Sequence, residues 1–192
     1  MVRSEKGFTL IEVVITVAII AIFSTIIVGV ISTTSSMMQR TSNVTKAQTS
    51  GQQIVEQIQD MVMDVNQSVY YAYGSMFHVG AEITDSSDMD SEAQLEKTLY
   101  FVKKDGVNTY LEMITWNPST QQLLYQKVKE PYSSTGDVEV LGNHVSNFRV
   151  DLSKLETEHY IQFMLVINEG SKELSFKQTV SLRNRVEIKS PF

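Results

Sequence analysis

The stretch that decides the fold is residues 8–31, which read FTLIEVVITVAIIAIFSTIIVGVI. A single charged side chain, Glu12, interrupts this apolar run. At a rise of about 1.5 Å per residue, roughly 20 such residues cross the ~30 Å hydrocarbon core of a bilayer. The run is longer than the apolar part of a secretory signal peptide, and no small-residue cleavage pattern follows it. These residues therefore predict one membrane-spanning helix.

The residues before the apolar run set its orientation. Arg3 and Lys6 precede it, and the polar stretch after it, Ser32 to Ser36, carries no charge. Because basic residues stay on the cytoplasmic side, we expect a cytoplasmic N-terminus and an extracytoplasmic chain from about residue 33 onward.

Glu12 is costly where it stands, because an acidic side chain inside hydrocarbon costs roughly 2.5–3.5 kcal/mol on insertion scales. One interpretation is that Glu12 lies near enough to the interface to reach headgroups and water. The other is that it pairs with a cation at the same depth in a neighbouring chain, which offsets the desolvation when the geometry is good.

The leader Lys6-Gly7-Phe8-Thr9-Leu10-Ile11-Glu12 resembles the class III signal of type IV prepilins and of the pseudopilins of secretion and competence systems. The resemblance implies that a prepilin peptidase cleaves between Gly7 and Phe8 and methylates the new N-terminal Phe8. It assigns Glu12 to pairing with the amino terminus of an adjacent subunit and places Thr9 in the same assembly segment. Many pilins carry a proline late in the span, where this chain has Gly29.

The resemblance also implies partners and a location. The partners are the prepilin peptidase, other pilin or pseudopilin subunits, an assembly platform protein and the membrane. The protein would cross the cell membrane once, with an extracytoplasmic domain that enters a filament after assembly. The expected segments are a leader at 1–7, a transmembrane and assembly helix at 8–31, an amphipathic continuation of the helix at 32–73 and a globular β-rich domain at 74–192.

The composition of the chain limits the partners and the chemistry that the protein can have. The chain has 192 residues, a formal net charge of −6 and no cysteine. Removal of residues 1–7 takes away Arg3, Lys6 and Glu5, a net +1, and leaves −7. An acidic protein is a poor nonspecific binder of nucleic acid, so no nucleic acid is expected as a partner. Without cysteine, disulfides and thiol chemistry are excluded.

A second helical pattern follows the span. Apolar residues recur every three or four positions and predict an amphipathic helix that packs one face on a core. This stripe consists of Val44, Ala47, Gly51, Ile54, Ile58, Met61, Val65 and Val69, widened by Val55 and Val62. We expect one helix from about residue 9 to 70, ended by Tyr70-Tyr71-Ala72-Tyr73-Gly74.

An acidic segment follows at 85–92. Its carboxylates, Asp85, Asp88, Asp90 and Glu92, are a calcium candidate, but their spacing is not that of an EF-hand loop and the central glycine is missing. We interpret the segment as a solvated, mobile loop, with calcium binding as the alternative.

From about residue 94 the pattern is β. Seven strands are predicted, at 95–103, 107–116, 121–129, 138–141, 145–152, 159–168 and 172–183. Asp105-Gly106 and Glu169-Gly170-Ser171 are hairpin turn signals. The predicted fold class is α+β and pilin-like, with a long N-terminal helix packed on an antiparallel sheet or meander.

The layout, with the ending Thr179-Val180-Ser181-Leu182-Arg183-Asn184-Arg185, is similar to the J-type minor pseudopilins and W-type minor pilins. The three histidines lack metal-ligand spacing, and no nucleophile or phosphate-loop motif occurs, so neither an enzyme nor a cofactor is expected. The expected function is a minor pilin or pseudopilin. The alternative is a single-pass anchor that carries a binding or sensor domain.

Overall fold

The computed structural model describes residues 7–73, 76–78, 95–132, 136–169 and 172–189. The chain forms two compact units, Met1–Asn43 and Val44–Phe192. Helix α1, Leu10–Met63, supplies the described helical residues of the first unit and opens the second. Among the described residues it is the one helix that is long and apolar enough, by length and composition, to cross a membrane.

In the first unit the apolar side chains of α1 are exposed all round the helix. The three hydroxyl groups of its part between Leu10 and Ile31 donate to backbone carbonyls three or four residues earlier. Thr16 Oγ1 donates to Glu12 O over 2.7 Å, Ser24 Oγ to Ile20 O over 2.8 Å and Thr25 Oγ1 to Ile22 O over 2.7 Å. Polar groups in hydrocarbon must be satisfied internally, and these bonds meet that condition.

In the second unit α1 buries the face that the sequence predicted. The buried positions are Ala47, Gly51, Ile54, Ile58 and Val62. The side chains of Ala47, Ile54, Ile58 and Val62 join one hydrophobic core with residues of the following strands. The amphipathic pattern of 44–62 is therefore confirmed as a core-facing helix.

The predicted end of the helix was wrong. Helix α1 ends at Met63, and Ser68–Tyr73, which contains the tyrosines, is strand β1. Val65 and Val69 are both buried, and their spacing of four residues suits a helix face and a strand face equally well. The β-branched and aromatic residues of 69–73 favour the strand.

The second unit contains two sheets and a short helix within the described residues. The strands are β1 Ser68–Tyr73, β2 Met76–His78, β3 Lys97–Asp105, β4 Asn108–Asn117, β5 Gln122–Lys129, β6 Val138–Gly142, β7 Val145–Asp151, β8 Tyr160–Glu169, β9 Lys172–Ser181 and β10 Glu187–Ile188, and α2 is Leu155–Glu158. The larger sheet has the order β10-β1-β3-β4-β5-β6, with β2 on β1, and the smaller has the order β7-β8-β9.

The seven predicted strands are confirmed, with ends that move by at most two residues. The predicted α+β fold class, a long N-terminal helix followed by an antiparallel β-sheet domain, is confirmed. The strands are divided between two sheets, because β7 starts a second sheet, and one pair, β10 with β1, is parallel. The hairpin turn between β3 and β4 is Gly106-Val107, one residue later than the Asp-Gly signal, with Gly106 at a φ of 58°. Ser68 of β1 and its partner Glu187 of β10 are 119 residues apart in sequence, so no local sequence pattern predicts that these two strands pair in parallel.

Three side chains of the larger sheet bond to β7 of the smaller one. Trp116 Nε1 donates to Val145 O over 2.8 Å, Lys97 Nζ to Asn147 Oδ1 over 2.9 Å, and the Tyr71 hydroxyl to Phe148 O over 3.4 Å. These three hydrogen bonds are shielded from water and hold the two sheets together.

The segment after β9 secures the end of α1. Arg183 pairs with Asp64 over 3.0 Å, and Asn184 Nδ2 donates to Val65 O over 3.0 Å. A helix end leaves carbonyl groups without intrahelical partners, and this segment supplies donors there. The calcium candidates Asp85, Asp88, Asp90 and Glu92 lie outside the described residues.

Candidate functional site

The backbone around the predicted cleavage point is not helical. Gly7, Phe8 and Thr9 precede α1, which begins at Leu10. Phe8 is 89% exposed, and nothing lies within 4 Å of the position where a Cβ would stand on Gly7. The two residues that form the Gly7–Phe8 peptide bond are therefore accessible to another molecule.

Thr9 and Glu12 form a reciprocal cap on the start of α1. Thr9 N donates to Glu12 Oε2 over 2.8 Å, and Glu12 N donates to Thr9 Oγ1 over 3.4 Å. The Thr9 hydroxyl also donates to Glu12 Oε2 over 2.8 Å. A capping box of this kind satisfies two backbone donors that a helix start would otherwise leave unpaired.

The electrostatics favour a negative charge at this position. Glu12 is in the first turn of α1, where the helix macrodipole places partial positive charge. Both bonds from Thr9 go to Oε2, and Oε1 makes no hydrogen bond to any residue that the structure describes. The carboxylate is thus held in a defined orientation with one oxygen available to an incoming donor.

The predicted site residues fall together in one short segment. Gly7, Phe8, Thr9 and Glu12 all lie at the start of α1, within six residues of chain. His144 and His159, by contrast, stand at separate turns with left-handed backbone, at φ values of 59° and 58°. Over the ranges that the structure describes, no group of three or more His, Asp or Glu side chains is placed to hold a metal ion.

The second unit carries an open groove of about 550 Å³ beside the start of its part of α1. Its lining includes Lys46, Ser50, Gln121, His144 and Glu169. Lysine, carboxylate, imidazole and amide groups together offer a polar surface with both signs of charge. Such a surface suits contact with another macromolecule better than it suits catalysis, which needs a sheltered site.

Comparison with known families supports the interpretation of the leader. Residues 2–28 match the family model described as the Prokaryotic N-terminal methylation motif. The match, together with the long apolar N-terminal helix, supports a place in the type IV pilin and pseudopilin family. The match covers the leader and most of the apolar half of α1 and stops before the β-rich unit. Neither the comparison with curated proteins nor the comparison with solved structures gives a match.

The matched motif carries several general statements. The motif is that of a prepilin-like substrate of prepilin peptidase, and pilins assemble with other pilins. Members of this family are structural subunits, and the apolar helix fits a membrane-anchored protein.

One feature of the site was missed in the sequence. The pattern Thr9-x-x-Glu12 just before an apolar run is itself a capping-box signature, so the hydrogen bonds between the two residues were readable. The buried pairs of the β-rich unit had no such signature, because their partners are about ten to fifty residues apart.

Proposed function

We propose that this pilin-family chain is a minor pilin or pseudopilin, a structural subunit of a type IV pilus or of a secretion or competence pseudopilus. Prepilin peptidase cleaves it between Gly7 and Phe8 and methylates Phe8. The cleaved subunit waits in the membrane, with its β-rich unit outside, until an assembly platform protein and its ATPase extract it. It performs no catalysis of its own.

The observation that carries this proposal is the held carboxylate of Glu12 in the first turn of α1, within residues 8–31, an apolar run with no other charged side chain. Cleavage after Gly7 would create a positive amine at Phe8, four residues before Glu12. A carboxylate in an apolar setting needs a charged partner, and the amine of a neighbouring subunit is one that the cleavage reaction itself provides. Oε1 is the oxygen that remains to accept from it.

The minor subtype rests on the layout of the chain. In the part of the chain that the structure describes, a 54-residue helix is followed by ten strands in two sheets, which is more elaborate than the short sheet of a typical major pilin. The arrangement is similar to the J-type minor pseudopilins and W-type minor pilins. The β-rich unit would then contact other minor subunits or the cargo of the machine.

The test compares Glu12→Ala with Val13→Ala, a neighbouring substitution that removes apolar surface and no charge. Each variant is expressed in cells that lack the wild-type protein. Mass spectrometry then reads the N-terminus and counts the subunit in membrane and sheared filament fractions. We expect both variants to be inserted and cut at Gly7, and only Glu12→Ala to be lost from the filament fraction. Normal incorporation of Glu12→Ala would sink the proposed role of Glu12.

The capping box favours a second candidate, a single-pass anchor that carries a binding or sensor domain. Thr9 already donates two hydrogen bonds to one oxygen of Glu12. These bonds offset part of the free energy that it costs to place the carboxylate in hydrocarbon, and they need no neighbouring subunit. Processing distinguishes the two functions. A chain that still begins at Met1 in cells with active peptidase supports the anchor, and a chain that begins at methylated Phe8 supports the pilin.

A further inference from the structure

A lysine and an asparagine meet in the interior of the β-rich unit, away from the N-terminal site. Lys97 Nζ and Asn147 Oδ1 are 2.9 Å apart, and the two residues are 4% and 2% exposed. Lys97 opens β3 of the larger sheet, and Asn147 is in β7 of the smaller one. We propose that Lys97 attacks the side-chain amide of Asn147 and forms an intramolecular isopeptide bond that links the two sheets covalently.

The reaction balances within the pair. The lone pair of Lys97 Nζ forms a bond to Asn147 Cγ, and the bond from Cγ to Nδ2 breaks with its electrons on the departing nitrogen. Two of the three protons of the lysine ammonium pass to that nitrogen, which leaves as ammonium. One amide replaces another, so no oxidant, reductant or activated group is required.

The separation is close to that needed for attack. A carbonyl bond is about 1.2 Å long, so Nζ lies within about 4 Å of Cγ. Attack needs the reacting atoms at about 3–3.5 Å, with the amine over the face of the carbonyl. Rotation of the Asn147 carboxamide about its terminal torsion, which is a broad one, turns that face toward Nζ.

Neighbouring hydrogen bonds hold both reactants. On either side of Asn147, Val145 O accepts from Trp116 Nε1 and Phe148 O accepts from the Tyr71 hydroxyl. Lys97 is directly opposite Trp116 in the sheet, and its Nζ is 5.3 Å from the centre of the Trp116 ring. Groups held in near-attack geometry reach effective molarities of about 10⁵–10⁸ M, so once the carboxamide has rotated these contacts reduce the entropic cost of a slow single turnover.

Burial favours the chemistry. Removal from water keeps competing water molecules away from the Asn147 carbonyl. The same exclusion of water protects the intermediate from hydrolysis. Since the chain has no cysteine, no disulfide closes this unit, and a bond between positions 50 residues apart would constrain the unfolded chain as a disulfide does.

The test is the intact mass of the full-length protein, purified from membranes in detergent. We expect a mass lower by one ammonia than that of the processed chain, and after digestion a branched peptide that joins Lys97 to Asn147. An unshifted mass would overturn the proposal. A shifted mass with only linear peptides would overturn it too, since an asparagine elsewhere that cyclises also loses ammonia.

Variants assign the bond to its residues. Lys97→Arg and Asn147→Ala should restore the unshifted mass. Lys103→Arg, on the same face of β3 and paired with Glu112 instead, should keep the ammonia loss. Ammonia loss that persists in Lys97→Arg would contradict the proposal, and the wild-type mass decides the matter even where a variant does not fold.

Discussion

The ring of Phe176 in β9 lies directly against the Cα of Gly51 in α1. A Cβ built on Gly51 would overlap three carbon atoms of that ring. The contact brings the edge strand of the smaller sheet onto the buried face of α1. A hydrogen bond from Gln178 Nε2 to Gln59 Oε1, at 3.2 Å, continues the same contact further along both elements.

The first prediction follows from this contact. Gly51→Ala should lower the free energy of unfolding by roughly 1–2 kcal/mol, because overpacking costs about 1–3 kcal/mol and alanine regains up to about 1 kcal/mol of helix propensity. Urea unfolding of the protein in detergent, followed by the fluorescence of the single and buried Trp116, measures it.

Two variants control this prediction. Gly29→Ala places a Cβ where nothing lies within 4 Å, so it should leave the unfolding of the β-rich unit unchanged. Phe176→Leu added to Gly51→Ala should recover part of the loss, because it removes the ring that the new methyl group meets. Equal stability of Gly51→Ala and wild type would show that the ring moves aside at no cost.

The second prediction concerns the buried carboxylate of Glu112. This residue is 2% exposed and accepts ion pairs from Lys103 at 3.0 Å and Lys127 at 3.2 Å. Glu112→Gln leaves both lysines without their counter-charge, and we expect a loss of about 3 kcal/mol, since breaking a buried pair typically costs 3–5 kcal/mol and Lys127 reaches water.

The matched control is Glu158→Gln, which breaks the exposed pair with Lys154 at 3.3 Å. An exposed pair four residues apart on a helix contributes only about 0.3–0.5 kcal/mol. If the two variants lose the same free energy of unfolding in urea, the ion pairs of Glu112 stabilise the fold no more than an exposed pair does, and the prediction is wrong.

The third prediction is alkaline destabilisation through Tyr125. Burial raises the pKa of the Tyr125 phenol above its ordinary value, and the negative charge of nearby Glu112 raises that pKa further. Because the pKa of Tyr125 is higher in the folded state, the unfolded chain releases the phenol proton first as the pH rises. The contribution of Tyr125 to the free energy of unfolding is therefore fully present below pH ~10 and decreases as the pH rises above it. Burial raises the pKa of Tyr100 in the same direction.

The measurement is urea unfolding at about pH 9 and about pH 11, on either side of the ordinary tyrosine pKa. Tyr125→Phe cannot ionise, so it should lose less stability over this interval than the wild type does. An equal loss in both proteins would mean that other groups, such as the lysines around Glu112, account for the alkaline sensitivity.

The fourth prediction separates the two roles of Glu12. Thr9→Ala removes the hydroxyl of the cap and keeps the charge of Glu12, whereas Glu12→Gln keeps an acceptor oxygen and removes the charge. If pairing with a neighbouring amine is the main role, Thr9→Ala should still enter the filament fraction and Glu12→Gln should not. The ratio of filament to membrane protein measures this, with Thr9→Ser as the control that retains the cap. Equal loss in both variants would favour the capping role.

How much was predictable differs along the chain. The membrane-spanning pattern, the N-terminal methylation motif and the core face of α1 from Ala47 to Val62 could be read from the sequence, because each depends on residues close to one another in the chain. The end of the helix could not, since the spacing of Val65 and Val69 suits two structures. The side chain of Asn66, which bonds to the backbone of Lys104 at both N and O over 2.8 Å, holds the chain in the non-helical form there.

The sequence by itself determined the apolar helix, the leader with its Gly7–Phe8 junction, the Thr9–Glu12 cap and the positions of seven strands. These features arise from local periodicity, local capping and turn residues. Only the tertiary structure decided that the strands form two sheets, that β10 lies parallel to β1 and that Lys97 meets Asn147. Those outcomes depend on which distant segments bury each other's apolar surface. Alternating apolar residues predict that a strand has a buried face, but they do not predict which segment covers that face.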